Sequence, residues 1–185
     1  MALLTGQQLE DLGFKSLGEN VRISDKASIY NAGNISIGNN VRIDDFVILS
    51  AGSGGISLGN YIHIAAYSSL IGAGLIELLD FCNISSRVSI YSSSDDYSGE
   101  TMTNPMVPES LKAVHHAPVL LCKHVIIGCG SVILPGVILN EGVAVGALSL
   151  INKNCQPFGI YAGAPARFIK NRSKDLLRLA NDLKK

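Results

Sequence analysis

Aliphatic residues recur along this chain every six positions. The step begins at Leu17, Ile23 and Ile29 and, after two extra residues, continues at Ile37, Ile43 and Leu49. Three extra residues precede Leu58, Ile64 and Leu70, and two more precede Leu78, Ile84 and Ile90. A break from Asp96 to Leu120 follows; the frame then runs without interruption through Leu121, Ile127, Ile133, Leu139, Val145 and Ile151. Every first position of these eighteen hexads is Leu, Ile or Val. The fifth positions are small or aliphatic, from Val21, Ala27 and Gly33 through Ser53, Gly74 and Ser94 to Val143, Ser149 and Cys155.

A period of six is neither that of an amphipathic helix nor that of a simple alternating strand. It suits a short strand followed by a turn, three of which close one triangular coil. First positions then point into a prism, and fifth positions sit near its edges, where only compact side chains fit. Gly and Asn after the first position, as in Leu17-Gly-Glu-Asn20 and Ile37-Gly-Asn-Asn40, suit turns that need a positive φ. Three hexads per coil give about six coils, and the extra residues all leave from one edge.

The ends depart from the period. Thr5-Gly-Gln-Gln8 is a capping-box pattern with Leu9 and Leu12 on one face, which predicts a short helix over the open first coil. Leu176, Leu177, Ala180 and Leu183 stand at helical spacing in the last fourteen residues. The expected layout is an N-terminal cap over 1–16, a β-helix over 17–155 with an excursion at 96–120, and a closure segment with a helix over 156–185.

Composition narrows the function. Fifteen basic residues balance fifteen acidic ones, which argues against a nucleic-acid partner. The most apolar run, Val125 to Leu139, is too short and too rich in Gly and Pro to span a membrane. The amino terminus lacks a basic then apolar signal pattern, and the four cysteines form no CxxC pair, so a cytoplasmic protein with reduced thiols is expected.

Four segments carry a resemblance. Ile126-Ile-Gly-Cys-Gly-Ser-Val-Ile-Leu-Pro-Gly-Val-Ile-Leu139, Val145-Gly-Ala-Leu-Ser149, Asn152-Lys153 and Tyr161-Ala-Gly-Ala-Pro-Ala-Arg167 resemble the closing repeats of the hexapeptide-repeat acyltransferases. The resemblance implies an all-β, left-handed parallel β-helix and a homotrimer with active sites between subunits. It implies acetyl-CoA or another acyl-CoA as co-substrate and no metal. The backbone around Gly128, Cys129, Gly146 and Ala147 would hold the pantetheine arm, and Lys153, Arg167 and Lys170 would meet the phosphates. The excursion would reach over a neighbouring subunit.

One departure from the pattern is informative. The family's sugar O-acetyltransferases carry a general-base histidine just after the coil-four strand, where this chain has Asp95. A hydroxyl needs strong base assistance to attack a thioester; an amine needs only to lose one ammonium proton, which a carboxylate can accept while steering the cation. The expected reaction is therefore N-acylation of an amino sugar; the resemblance to the family's N-acyltransferases implies a nucleotide-linked amino-deoxy sugar destined for surface polysaccharide. Asp95 is the first candidate base, with Glu100, His63 and His116 as others; Ser85, Asp96 and Tyr97 are candidates for binding the sugar acceptor, and Ser85 for bonding Asp95. Sugar O-acetylation through a histidine is the main alternative, and a zinc-dependent or non-enzymatic β-helix a lesser one.

Overall fold

The computed structural model describes residues 2–183; Met1 and the last two residues of the expected C-terminal helix, Lys184 and Lys185, lie outside it. The chain winds into a left-handed parallel β-helix with three sides. The first side stacks strands from Ser16–Leu17 to Ile138–Leu139, the second from Arg22–Ile23 to Ala144–Val145, and the third from Ser28–Tyr30 to Leu150–Ile151.

The register is the sequence ladder. Leu17 pairs with Ile37, Ile37 with Leu58, Leu58 with Leu78, Leu78 with Leu121 and Leu121 with Leu139. The second and third sides stack in the same way, as at Ile64, Ile84 and Ile127 and at Leu70, Ile90 and Ile133. From Ile37 onward these aliphatic side chains are almost completely buried and form one continuous core, against which the half-buried Leu17 packs. Because each coil is only one strand thick, nearly all its stabilisation comes from the coils above and below. Six coils are complete, and two sides of a seventh begin where Cys155 bridges to Leu139 and Tyr161 pairs with Val145.

The first and second edges are lined by the expected fifth positions, such as Val41, Ile62 and Cys82 at one and Val47, Ser68 and Ser131 at the other. The third edge differs. Gly33 and Ser53 are exposed, and the edge is filled instead by Ile35, Ile56, Ile76 and Val119, which pair with one another. The extra residues enter before the edge rather than after it, so they carry the nominal fifth positions outward.

Helix α1, Gly6–Asp11, has the capping box in full: Gln8 donates its N–H to Thr5 Oγ1 at 3.3 Å, and Thr5 donates its N–H to Gln8 Oε1 at 2.9 Å. Leu9 is its buried contact with the first coil. At the other end an antiparallel hairpin, Gly159–Gly163 with Ala166–Asn171, extends the second side through a cis Ala164–Pro165 bond. These two strands do not follow the six-residue step, so the period gives no sign of them. Arg172 then donates to the carbonyls of His124 (2.9 Å) and Gly142 (3.0 Å), tying the tail to coils five and six. Helix α2, Asp175–Asp182, fully buries no side chain; Leu176, Leu177 and Ala180 of its apolar face are half-buried, while Leu179 and Leu183 are exposed.

Candidate active site

The second edge carries a row of buried serines, Ser68, Ser131 and Ser149. Its buried serines bind backbone in the following turn: Ser68 Oγ donates to the Ser85 carbonyl at 2.9 Å, and Ser131 Oγ to the Gly146 carbonyl at 3.0 Å. Ser149 Oγ donates to the same Gly146 carbonyl at 2.7 Å. No buried side-chain N or O atom among the described residues lacks a partner. The sequence reading treated these serines as small residues only; their hydroxyls also set the height of each turn.

Ser85, Gly128 and Gly146 stand in one column along this edge, linked by the N–H of Ser85 to Ile127, of Gly128 to Val145 and of Gly146 to Tyr161. A Cβ on Gly128 would lie 2.5 Å from the Ala147 nitrogen and 2.7 Å from the Gly146 carbonyl carbon, so the backbones approach too closely for any side chain. Cys129 and Ala147 follow these glycines and are exposed. Among the described residues their N–H groups have no acceptor within the chain. Lys153, Arg167 and Lys170 lie beyond, on coil six and the hairpin; all three are exposed and none meets a carboxylate among the described residues.

The third edge carries the excursion. Its neck is a two-stranded antiparallel pair, Ser93–Ser94 with His115–His116, in which Ser93 Oγ lies 2.8 Å from His116 Nδ1. Asp95 follows directly, exposed, with no partner for its carboxylate among the described residues. The next acid behaves differently. Asp96 accepts from the N–H of Ser98 (2.8 Å), the N–H of Thr101 (3.0 Å) and Thr101 Oγ1 (2.8 Å). Those bonds, led by Ser98, hold its pKa down to about 2. Tyr97 is 92% exposed, and Glu100 lies on the outer part of the loop.

Neither Ser85 nor Asp95 touches the other in the chain. Ser85 precedes the third-side strand Ser89–Tyr91 and Asp95 follows it, so a full side of the prism separates them. The expected Ser85–Asp95 bond is therefore absent within one chain. The histidines are dispersed. His63 Nε2 lies 2.9 Å from Asp44 Oδ2, and Arg42 Nε donates to Asp44 Oδ1 at 2.7 Å. Partial burial opposes ionisation of Asp44, but the bonds from His63 and Arg42 prevail and keep it below the usual carboxylate range. His124 stacks on Phe81 at 4.8 Å, and burial lowers its pKa. No group of three or more His, Cys, Asp or Glu able to hold a metal occurs among the described residues.

Stacked three-sided coils, closed by a basic hairpin above an edge pinched by glycines, are the architecture of the hexapeptide-repeat acyltransferases. No family model matches the chain. The Escherichia coli dTDP-4-amino-4,6-dideoxy-D-glucose acyltransferase is 58% identical over 184 residues, 100% of this chain and 96% of that protein. AntD, an N-acyltransferase from Bacillus cereus, solved as an aspartate variant with dTDP and coenzyme A, matches with a TM-score of 0.95. It is 48% identical, over 99% of this chain and 98% of that one. A maltose O-acetyltransferase from Clostridium difficile 630 shares the fold alone, with a TM-score of 0.60 at 22% identity over 91% of this chain and 77% of that one. The chain belongs to the acyltransferase family that includes the E. coli and B. cereus enzymes, and it is a CoA-dependent acyltransferase. Other AntD structures carry substitutions at one serine, ten positions before that aspartate, with dTDP-4-amino-4,6-dideoxyglucose and coenzyme A bound.

Proposed function

We propose that this enzyme transfers the acyl group of an acyl-CoA to the amine of a nucleotide-linked amino-deoxy sugar, dTDP-4-amino-4,6-dideoxyglucose or a close analogue. The observation that carries this reading is Asp95. Its carboxylate has no partner within the described residues, whereas His63 and His116 are held by Asp44 and Ser93. The carboxylate orients the ammonium and takes its proton; the amine nitrogen then attacks the thioester carbon, the electron pair of the broken C–S bond leaves with the CoA sulfur, and the sulfur takes the second proton shed by the nitrogen, giving amide and free thiol. The free N–H groups of Cys129 and Ala147 suit the pantetheine arm, and Lys153, Arg167 and Lys170 suit the phosphates through charge-assisted hydrogen bonds.

The ten-position spacing of the substituted AntD serine and aspartate is that of Ser85 and Asp95. A full prism side keeps these two apart in one chain. A site using both needs a second copy, with the loop neck of one subunit at the second edge of its neighbour. That geometry supports the homotrimer. Acyl-CoA and nucleotide sugars are made in the cytoplasm, where we place the enzyme, and its product suits O-antigen-type surface polysaccharide. The four free cysteines accord with a reducing compartment.

Release of free thiol from acetyl-CoA or 3-hydroxybutyryl-CoA, measured with dTDP-linked amino sugars and with hydroxyl-bearing sugars, tests the reaction. Thiol release with hydroxyl acceptors alone would overturn it. Asp95→Asn is expected to lower turnover by roughly 10²-fold or more while coenzyme A affinity holds. Near-normal turnover would remove Asp95 from the chemistry.

A further inference from the structure

The second edge carries a feature that acyl transfer has not used. At equivalent turn positions of successive coils stand Phe46, Tyr67, Arg87, Gly130 and Leu148, all with φ between 57 and 70 degrees in the left-handed region (61, 63, 60, 70 and 57 degrees). Glycine adopts this conformation freely, and bulky residues hold it only where the surroundings impose it. Here the side chains form a column. Phe46 and Tyr67 stack at 5.0 Å, and the Arg87 guanidinium lies over the Tyr67 ring at 5.4 Å.

Several cations along these coils are paired with carboxylates, and Arg22 of coil one bonds the Asn20 amide oxygen at 3.2 Å. Lys26, which lies over Phe46, is 3.7 Å from Asp45; Arg42 is 2.7 Å from Asp44; and Lys123 is 3.1 Å from Asp80. Arg87 has no carboxylate partner among the described residues and is exposed. It lies two residues from Ser85, in the coil that also leads to Asp95. The free cations suited to coenzyme A, Lys153, Arg167 and Lys170, lie on coil six and the hairpin.

We propose that Arg87 binds the diphosphate of the acceptor, with Tyr67 and Phe46 as the stacked support that orients its guanidinium. This rests on the reading of the acceptor as a nucleotide-linked amino sugar. In a 4-amino hexose the amine and the diphosphate leave from opposite ends of the ring, so with the amine at the acidic centre the negative charge falls about one sugar away. A guanidinium lying flat over a ring presents its N–H edge to such a group, and its fork matches two phosphate oxygens. The donor thus extends from Ser85 toward the C-terminal hairpin, and the acceptor nucleotide toward the coils of Tyr67 and Phe46.

Calorimetric binding of dTDP and of coenzyme A to the full-length enzyme tests this without relying on turnover. The Arg87→Asn variant suits the left-handed position, which Asn20 and Asn40 occupy at other turns. Its dTDP affinity should fall roughly 10- to 100-fold, with coenzyme A affinity and melting temperature unchanged. Arg87→Lys should recover part of the loss, and Tyr67→Leu should weaken dTDP binding by a few-fold only. Unchanged dTDP affinity in Arg87→Asn, or an equal loss for coenzyme A, would overturn the assignment. The two readings fail separately. Wild-type enzyme that acylates amino sugars while Arg87→Asn keeps its acceptor KM removes Arg87 alone. Arg87-dependent dTDP binding with no amine acylation removes the reaction and leaves the site.

Discussion

The second and third edges of the prism come from the same repeat, yet one admits no extra residue in six coils and the other takes every insertion. At the second edge Ser68 and Ser131 are fully buried and bind backbone of the adjoining turns, and Gly128 and Gly146 bring neighbouring backbones nearly into contact. At the third edge the inward positions pass to Ile35, Ile56, Ile76 and Val119, which leaves the intervening residues free to lengthen into turns and finally into the excursion. A donor that is always coenzyme A suits a groove of fixed dimensions. The reacting amino-sugar end of the acceptor, which meets Asp95, suits the edge where loops can change without disturbing the core, while its diphosphate falls on the second edge at Arg87.

The comparison can be broken most forcefully in the ladder beneath the second edge. Ile84, 0% exposed and stacked between Ile64 and Ile127, should cost about 2–5 kcal/mol as Ile84→Ala in denaturant unfolding. Met106→Ala, at an excursion residue 89% exposed, should stay within about 0.5 kcal/mol. Equal losses would mean that the excursion is part of the cooperative core.

A smaller effect is expected at the edge itself. Gly128→Ala places a methyl where backbone atoms of the next coil lie 2.5–2.8 Å away, so the turn must shift. Overpacking of this kind costs about 1–3 kcal/mol. If the edge holds pantetheine, coenzyme A affinity falls with it while dTDP affinity does not. Calorimetry on the variant reads both, and intact coenzyme A binding would detach the donor from this edge.

The smallest effect concerns the loop. The folded pKa of Asp96 is depressed to about 2, so the order it lends the excursion is fully present above the ordinary carboxylate pKa and lost as pH falls through about 2. Hydrogen exchange at the N–H groups of Ser98 and Thr101 should keep its protection at pH 5 and lose it in Asp96→Ala. Unaltered protection in that variant would show that the loop is ordered by other contacts.

Much of the fold was legible because a six-residue aliphatic step has few ways to bury itself, and each residue from Leu17 to Ile151 in the ladder found the partner its spacing implied. The capping box at Thr5 was equally readable, since its bonds are local. The hairpin around Pro165 was not, because it joins the second side through long-range pairing that carries no period. In the site, Asp95 stood out by replacing an expected histidine, but the separate fates of Asp95 and Asp96, adjacent in sequence, depend on the turn that Ser98 and Thr101 close around one of them.

The amino-acid sequence by itself determined the coil, its register and the resemblance to acyl-CoA enzymes, because strand length, turn tolerance and core volume are all written within six residues. Only the tertiary structure decided which polar side chains are spent on the chain and which remain for a ligand. Asp44, Asp96, His63 and His116 find partners through coils or turns, while Ser85, Arg87 and Asp95 are left without hydrogen-bonding or ionic side-chain partners among the described residues. That distinction arises from stacking, which brings residues about twenty positions apart to within a single strand spacing and satisfies some groups at the exclusion of others.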